Sequence, residues 1–325
     1  MKSLQSLLLV IAGLVFEQPG PARAQTNYPS RPIQLVVTVP PGGAADFVAR
    51  IIGAKLADAL GQPVVISNRG GAGGTTAAAA VAKSDPDGYT LLLNTIATHG
   101  IGPHLYPNLP YDPVKDFSPI ILLTKLPLIM TVNAALPAQS VEEVIALARA
   151  RPGELSFASA GSGGAPHLAG ELFKSLTGTE LLHVPYRGSG PAVIDLVAGR
   201  IAMMFDATPS LLPFITAGKL RPLAAASPQR HRLLPAVPSF AELGYAGMDI
   251  ALWYGVVAPA GTPQPIVQRL NATLADILNM PDIRRSLTDQ GADVHGGTPE
   301  EYGAFMREES SRWGAVVKQA GIKPD

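Results

Sequence analysis

Two glycine-rich turns constrain this chain more than any other feature: Pro40-Pro41-Gly42-Gly43, and Ser159-Ala160-Gly161-Ser162-Gly163-Gly164 in the second half. Each stands between a short apolar run and a helical pattern. The first follows Ile33 to Val39, which reads as a strand, and precedes Asp46 to Leu60, where Phe47, Val48, Ile51, Ile52 and Leu56 share one helical face. The second follows Leu155 to Ala158 and precedes His167 to Leu176, with Leu168, Leu172, Phe173 and Leu176 on one face. A turn of this kind leaves backbone N–H groups free at a helix N-terminus. With the helix dipole they attract a carboxylate or phosphate without a charged side chain. Glycine permits positive φ and close approach of a ligand to the backbone. A single turn of this sort is most simply a tight α/β loop; two equivalent ones in two halves read as the jaws of one small-anion site.

Residues 1–24 read as an export signal. Lys2 is a basic start, Leu7 to Phe16 an apolar stretch of half the length a membrane span needs, and Ala22-Arg23-Ala24 a small-x-small cleavage pattern, so cutting is expected after Ala24 and the mature chain is expected in the periplasm. The most apolar later stretch, Ile120 to Val132, is interrupted by Lys125 and Pro127. With no cysteine, neither disulfides nor a lipid-carrying thiol are available to an exported protein, so stability must come from packing. A mature length near 300 residues at 47% hydrophobic supports two cores. Formal charge is balanced and no basic stripe appears, which argues against a nucleic-acid partner.

Strand and helix patterns alternate, the mark of α/β layers with largely parallel sheets. Further strands are expected at Val64 to Ile66, Thr90 to Asn94, Ile120 to Leu123, Leu128 to Val132, Leu181 to Val184, Ile201 to Phe205 and Leu223 to Ala226. Helices are expected at Thr75 to Lys83, Val141 to Arg151, Pro191 to Gly199, Thr262 to Asn279 and Pro299 to Ala320, the last opened by an N-cap at Thr298. Both halves share the order strand, glycine turn, helix. Crossovers near Lys125 to Leu128 and Ala251 to Tyr254 would make the first lobe discontinuous, residues 25–126 plus 253–325, around a second lobe of residues 127–252. Two such lobes form a hinged clamp whose ligand sits at the carboxyl ends of the strands.

Across the mature chain, several blocks resemble the Bug proteins, the extracytoplasmic solute receptors of tripartite tricarboxylate transporters. They include Tyr28-Pro29-Ser30-Arg31-Pro32-Ile33, Pro41-Gly42-Gly43 with Asp46 and Ala49-Arg50, and Val65 to Arg69 with Gly71-Ala72-Gly73-Gly74. Asp85 to Leu91, Pro185-Tyr186-Arg187-Gly188, Ala198-Gly199-Arg200-Ile201, Ala217 to Arg221, Leu234 to Ser239 and Trp253 to Pro263 follow in the same order. The resemblance implies a periplasmic binding protein of Venus-flytrap shape, two Rossmann-like lobes joined by two hinge strands. It also implies capture of a small carboxylate, delivery to the membrane permease subunits of a tripartite transporter, and a monomer that needs no cofactor. The family holds the carboxylate mainly through backbone N–H groups and ordered water, and a water-bridged contact is nearly as favourable as a direct one.

By resemblance, Pro41, Gly42 and Gly43 form the first jaw, closed by Asp46, with Asn94, Thr95 and Ala97 bordering the same pocket. Ala160, Gly161, Ser162, Gly163 and His167 form the second jaw, and Tyr186, Arg187, Gly188 and Asp206 end strands that face the cleft. Family members often carry Ser or Thr where this chain has Ala165-Pro166, so one hydroxyl near the ligand's distal group is missing.

The residues themselves leave choices open. Asp46 is either a ligand group or, the favoured reading, a helix cap. Arg187 pairs either with a second ligand carboxylate or, slightly favoured, with Asp206, since an unpaired charge in a closing cleft is costly. His167 either donates to the ligand or sits in the first turn of its helix. Residues 68–74 are either a third cleft loop or a surface connection, and Trp253 is expected to pack rather than to stack on a ligand. Catalysis finds little footing: there is no Gly-x-Ser-x-Gly, His-Glu-x-x-His, Gly-x-Gly-x-x-Gly or Walker sequence, and without cysteine a metal site would need distant ligands. A ligand-presenting signalling protein is the alternative to a transport receptor, and a periplasmic enzyme the less favoured one.

Overall fold

A computed structural model describes residues 28–322, so the expected export signal and its cleavage site lie outside the described residues. The apolar run Ile33–Val37 forms β1, buried at all positions but Gln34. It lies between β2 (Val64–Asn68) and β3 (Thr90–Thr95), parallel to both, as expected of a strand covered on both faces. Helix α1 (Ala44–Leu60) follows the first glycine turn and stops at Gly61, whose left-handed backbone returns its N–H to Ala57 O. Helix α2 (Thr75–Ala82) leads back to β3.

The long strand β4 (Phe117–Asn133) joins the two halves. Its residues 117–127 pair with β9 (Ala251–Pro259), and β10 (Asp293–Gly296) pairs along its other side. Its residues 128–133 pair instead with β7 (Met203–Ala207) and β8 (Leu220–Ala226). Pro127 stands at the switch, where a residue without an N–H is tolerated. The two strands expected over residues 120–132 are therefore one. β7 continues to β5 (Ser156–Ser159) and β6 (Leu182–Pro185), all parallel, giving the order β2-β1-β3-β9-β4-β7-β5-β6. The parallel sheets expected from the alternating pattern are present at the two outer thirds. Around β4 the sheet is antiparallel, because β9, β7, β8 and β10 all run against it.

In the second half, α4 (Val141–Ala150), α5 (Ala165–Thr177), α6 (Ser189–Val197) and α7 (Thr208–Thr216) cover the sheet. Ala192, Val193 and Leu196 of α6 with Leu211 of α7 bury Ile129, Ala158 and Met204 in a core separate from the main one. Beyond β9, the chain returns to the first sheet through α8 (Gln264–Asn279), α9 (Pro281–Asp289), β10 and α10 (Pro299–Ala320). A 3-10 turn (Ala72–Gly74), a π-helical turn (Ile96–Ile101) and the short α3 (Gly102–Leu105) complete the described elements. No helix among the described residues is long and apolar enough to cross a membrane.

Helix α10 begins as its sequence requires. Thr298 Oγ1 accepts from the Glu301 N–H at 3.2 Å, and the Glu301 carboxylate accepts from the Thr298 N–H at 2.8 Å. Thr298→Ala is expected to destabilise the protein by about 1 kcal/mol in a urea titration.

Candidate functional site: two matched glycine turns

The first turn links β1 to α1. Gly42 has φ +92°, and Gly43 caps α1 in an extended conformation without any side-chain acceptor. The cap comes from inside the helix: Asp46 Oδ2 accepts from the Gly42 N–H and from Arg50 Nε, each at 2.9 Å. Its Oδ1 accepts from Asn68 Nδ2 at 3.0 Å, and the same amide reaches Val39 O at 3.1 Å. Both Asp46 oxygens are thus engaged by protein groups, although the helix starts two residues earlier than expected and its N-cap is Gly43, with Asp46 third in α1. Among the described residues the N–H groups of Gly43, Ala44 and Ala45 donate to no protein group, the ordinary condition of a helix start. Residues 68–74 are seated against this turn, since a Cβ at Gly70 would meet Pro40 and one at Gly74 would meet Thr38.

Arg50's hydrogen bond, ahead of the Gly42 and Asn68 bonds, holds the buried Asp46 carboxyl below the usual aspartate range. A depressed folded-state value contributes stability above the unfolded aspartate pKa and loses it as pH falls through the folded value. Asp46→Ala is expected to cost about 1 kcal/mol at neutral pH. It should also flatten the loss of stability below about pH 4, as read by denaturation at pH 7 and pH 3.

The second turn repeats the first. Gly163 has φ +74°, and Gly164 caps α5 at φ −82°, ψ 166°, close to the φ −88°, ψ 175° of Gly43. The Gly163 N–H donates to His167 Nδ1 at 3.0 Å, four residues on, as Gly42 donates to Asp46. Gly42-Gly43-Ala44-Ala45-Asp46 and Gly163-Gly164-Ala165-Pro166-His167 therefore match residue for residue. One donor is lost in the second copy, because Pro166 has no N–H. Upstream, Ser159 Oγ donates to Gly161 O at 3.0 Å and lies 2.7 Å from His183 Nε2, while Gly188 N donates to Ala160 O at 3.1 Å. That last bond ties the second turn to the loop of Tyr186, Arg187 and Gly188.

Other expected site residues are placed differently. Asn94 is fully buried, its Oδ1 accepting from Tyr302 OH at 2.7 Å and its Nδ2 donating to Met306 Sδ at 3.2 Å, so its side chain anchors α10. Thr95 caps the π-helical turn that contains Ala97. The Tyr186 hydroxyl donates to Asp195 at 2.7 Å, and desolvation, then that bond, push its pKa up to about 12. Arg187 is exposed and makes no ion pair with Asp206 among the described residues, which overturns the favoured internal pair. Asp206 is fully buried at the end of β7, where burying a guanidinium as well would be costly. Its Oδ1 accepts from the Ala207 N–H at 2.8 Å, its Oδ2 is unpartnered, and burial pushes its pKa up. Trp253 packs as expected, its Nε1 donating to Glu309 at 2.9 Å. The sequence carries no signal for His183, and for Ser159 only its place at the strand end that opens the glycine turn.

The two halves also meet away from the shared strand. Leu105 of α3 packs against Gly163. Thr208 Oγ1 donates to Gln290 O at 3.1 Å, and His231 Nε2 lies 3.2 Å from Gly291 O. Between them, a cavity of about 260 Å³ is bordered by Gly42, Gly43, Phe47, Leu126, Pro209 and Gln290, so it touches the first turn, the shared strand and α7. Two larger hollows, about 420 and 360 Å³, lie against the end of α10 and beside Tyr28, Tyr89 and the start of α8, away from both turns. No cluster of side chains suited to a metal ion occurs among the described residues.

Comparison with known proteins agrees with this architecture. BugT of Bordetella pertussis is 41% identical over 320 residues, covering 97% of this chain and 98% of BugT. The structure "R. palustris Rpa4515 with adipate" superimposes with a TM-score of 0.85 at 40% identity, over 92% of this chain and all of that one. MatC from Rhodopseudomonas palustris with bound malate gives 0.81 at 38% identity, over 89% of this chain and all of MatC. The model of the tripartite tricarboxylate transporter family receptor matches residues 48–322, and with the matched turns, the shared β4 and these relatives, the chain belongs to that receptor family.

Proposed function

We propose that this chain is a periplasmic receptor that captures a small carboxylate between its two lobes and delivers it, chemically unchanged, to the membrane permease subunits of a tripartite transporter. The observation that carries the reading is the pair of matched turns. Each presents helix-start N–H groups at the carboxyl end of a parallel strand, one in each half, and the helix dipoles of α1 and α5 add to their attraction for an anion. Relatives whose structures hold adipate and malate support a carboxylate as the ligand class. Lobes of residues 25–126 plus 253–325 and of residues 127–252 would close about β4 at Pro127 and about the start of β9. Closure over the ligand would couple capture to delivery. The contacting groups are the backbones of Pro41, Gly42, Gly43, Ala160, Gly161, Ser162 and Gly163 with the loop at Gly188, and the working unit is a monomer.

A thermal-shift screen of residues 25–325 against adipate, malate and other small acids, with their amides as controls, tests this. An acid at 100 times its dissociation constant should add about 2.7 kcal/mol of stability. Stabilisation by an acid and not by its amide is expected, with the acid recovered intact after overnight incubation. A panel without any shift, or recovery of a converted product, contradicts the reading.

A further inference from the structure

The two turns are closed by different chemistry. In the first, the acceptor is a carboxylate, and the residue one helical turn further on is Arg50, whose Nε at 2.9 Å compensates the charge. In the second, the equivalent of Arg50 is Glu171, so an aspartate at position 167 would face a second carboxylate. The chain places an imidazole there instead. Because the Gly163 N–H donates to Nδ1, His167 is neutral with its proton on Nε2, 3.8 Å from Glu171 Oε1. Glu171 is itself held by Lys174 Nζ at 2.9 and 2.8 Å.

Beneath His167 lies His183, with ring centroids 3.7 Å apart and planes 6° from parallel, followed by Phe157 at 4.9 Å. Ser159 Oγ joins His183 to the turn: it lies 2.7 Å from His183 Nε2, accepts from the Gly161 N–H at 3.3 Å and is 3.0 Å from Gly161 O. The stack thus grips the turn at two points, Gly163 through His167 and Gly161 through Ser159 and His183.

We propose that His167 and His183 act as paired positioning residues for the second jaw, a stacked pair of imidazoles that fixes the glycine turn in its anion-receiving form without placing a carboxylate beneath the ligand's own. The proposal rests on the receptor reading above for its ligand and on these contacts for its mechanism. A turn fixed before binding loses less freedom when the acid arrives, which raises affinity without a new contact.

The test has a ligand-free arm and a binding arm. Imidazole nitrogen shifts of the free protein should report a proton on Nε2 of His167, and the amides of Gly161 and Gly163 should exchange slowly. His167→Leu should speed exchange at Gly163 and weaken the best-binding acid of the panel on the order of tenfold or more. His167→Asn, whose Oδ1 stands in for Nδ1, should restore both within a few-fold. His167→Asp should keep Gly163 protected yet weaken the acid, because it adds the charge the imidazole avoids. A proton on Nδ1 of His167, or unchanged exchange and affinity in His167→Leu, overturns the proposal. If no acid binds, the receptor reading fails, while the nitrogen shifts and exchange rates still decide whether the stack positions the turn.

Discussion

Replacing Trp313 by alanine is expected to lower the unfolding free energy by about 3–5 kcal/mol, the range for truncating a large buried aromatic. Trp313 is wholly inaccessible within α10 and donates from Nε1 to Glu309 Oε2 at 3.0 Å. The same oxygen accepts from Trp253 of β9 at 2.9 Å, so one buried carboxylate joins the two indoles. Trp253 in turn packs edge-on against Tyr302 and Phe305. Truncation opens a cavity where α10 crosses the strand that returns to the first sheet, and it removes one of two indole donors from a nearly buried carboxylate whose remaining ion partner is Arg312 at 3.6 Å, which adds to the loss. Urea unfolding followed by circular dichroism reads the effect. A loss below about 1 kcal/mol, as for a surface change, would mean that α10 is not the closing element described here.

Gly163→Val is expected to abolish acid-induced stabilisation, weakening binding at least on the order of a hundredfold, which is about 2.7 kcal/mol. Two causes combine. At φ +74° a β-branched residue is a strained outlier, and an added Cβ would run into the Leu105 side chain. Either Leu105 or the turn must shift, and the turn carries the N–H groups. Two controls separate these causes. Gly42→Val has the strain at φ +92° but open space around the new Cβ, so the first jaw should lose affinity with less damage to stability. Gly178→Ala, at φ +62° past the end of α5, also has open space and lies away from both turns. It should cost about 1 kcal/mol and leave binding intact. Equal binding by Gly163→Val and the parent protein would remove the second turn from the site.

The parts of this fold legible in the sequence are those set by local chemistry. Ile33–Val37 is apolar because both faces of β1 are covered, Gly61 ends α1 because a left-handed cap favours glycine, and Thr298 with Glu301 starts α10 by their mutual bonds. Both glycine turns were visible for the same reason. Other parts depend on partners far away in sequence. β4 reads as two pieces because Lys125 and Pro127 interrupt it, and only pairing with Trp253 and Ala251 makes it continuous. α7 lacks a polar face and contains Pro213, so no amphipathic period marks it. Asn94 ends a strand, where cleft residues are expected, but its side chain is claimed by Tyr302, 208 residues later. Arg187 and Asp206 carry complementary charges at two strand ends, yet one is exposed and the other buried, a difference that charge patterning does not carry.

The most direct measurement is a titration of backbone amide resonances with whichever acid stabilises the protein most. If a carboxylate is gripped by both jaws, the amides of Gly43, Ala44 and Ala45 should shift together with those of Ser162, Gly164 and Ala165, saturating at one common concentration. Shifts confined to one turn, or appearing only around the hollows near His104 or Tyr89, would contradict capture between the two lobes.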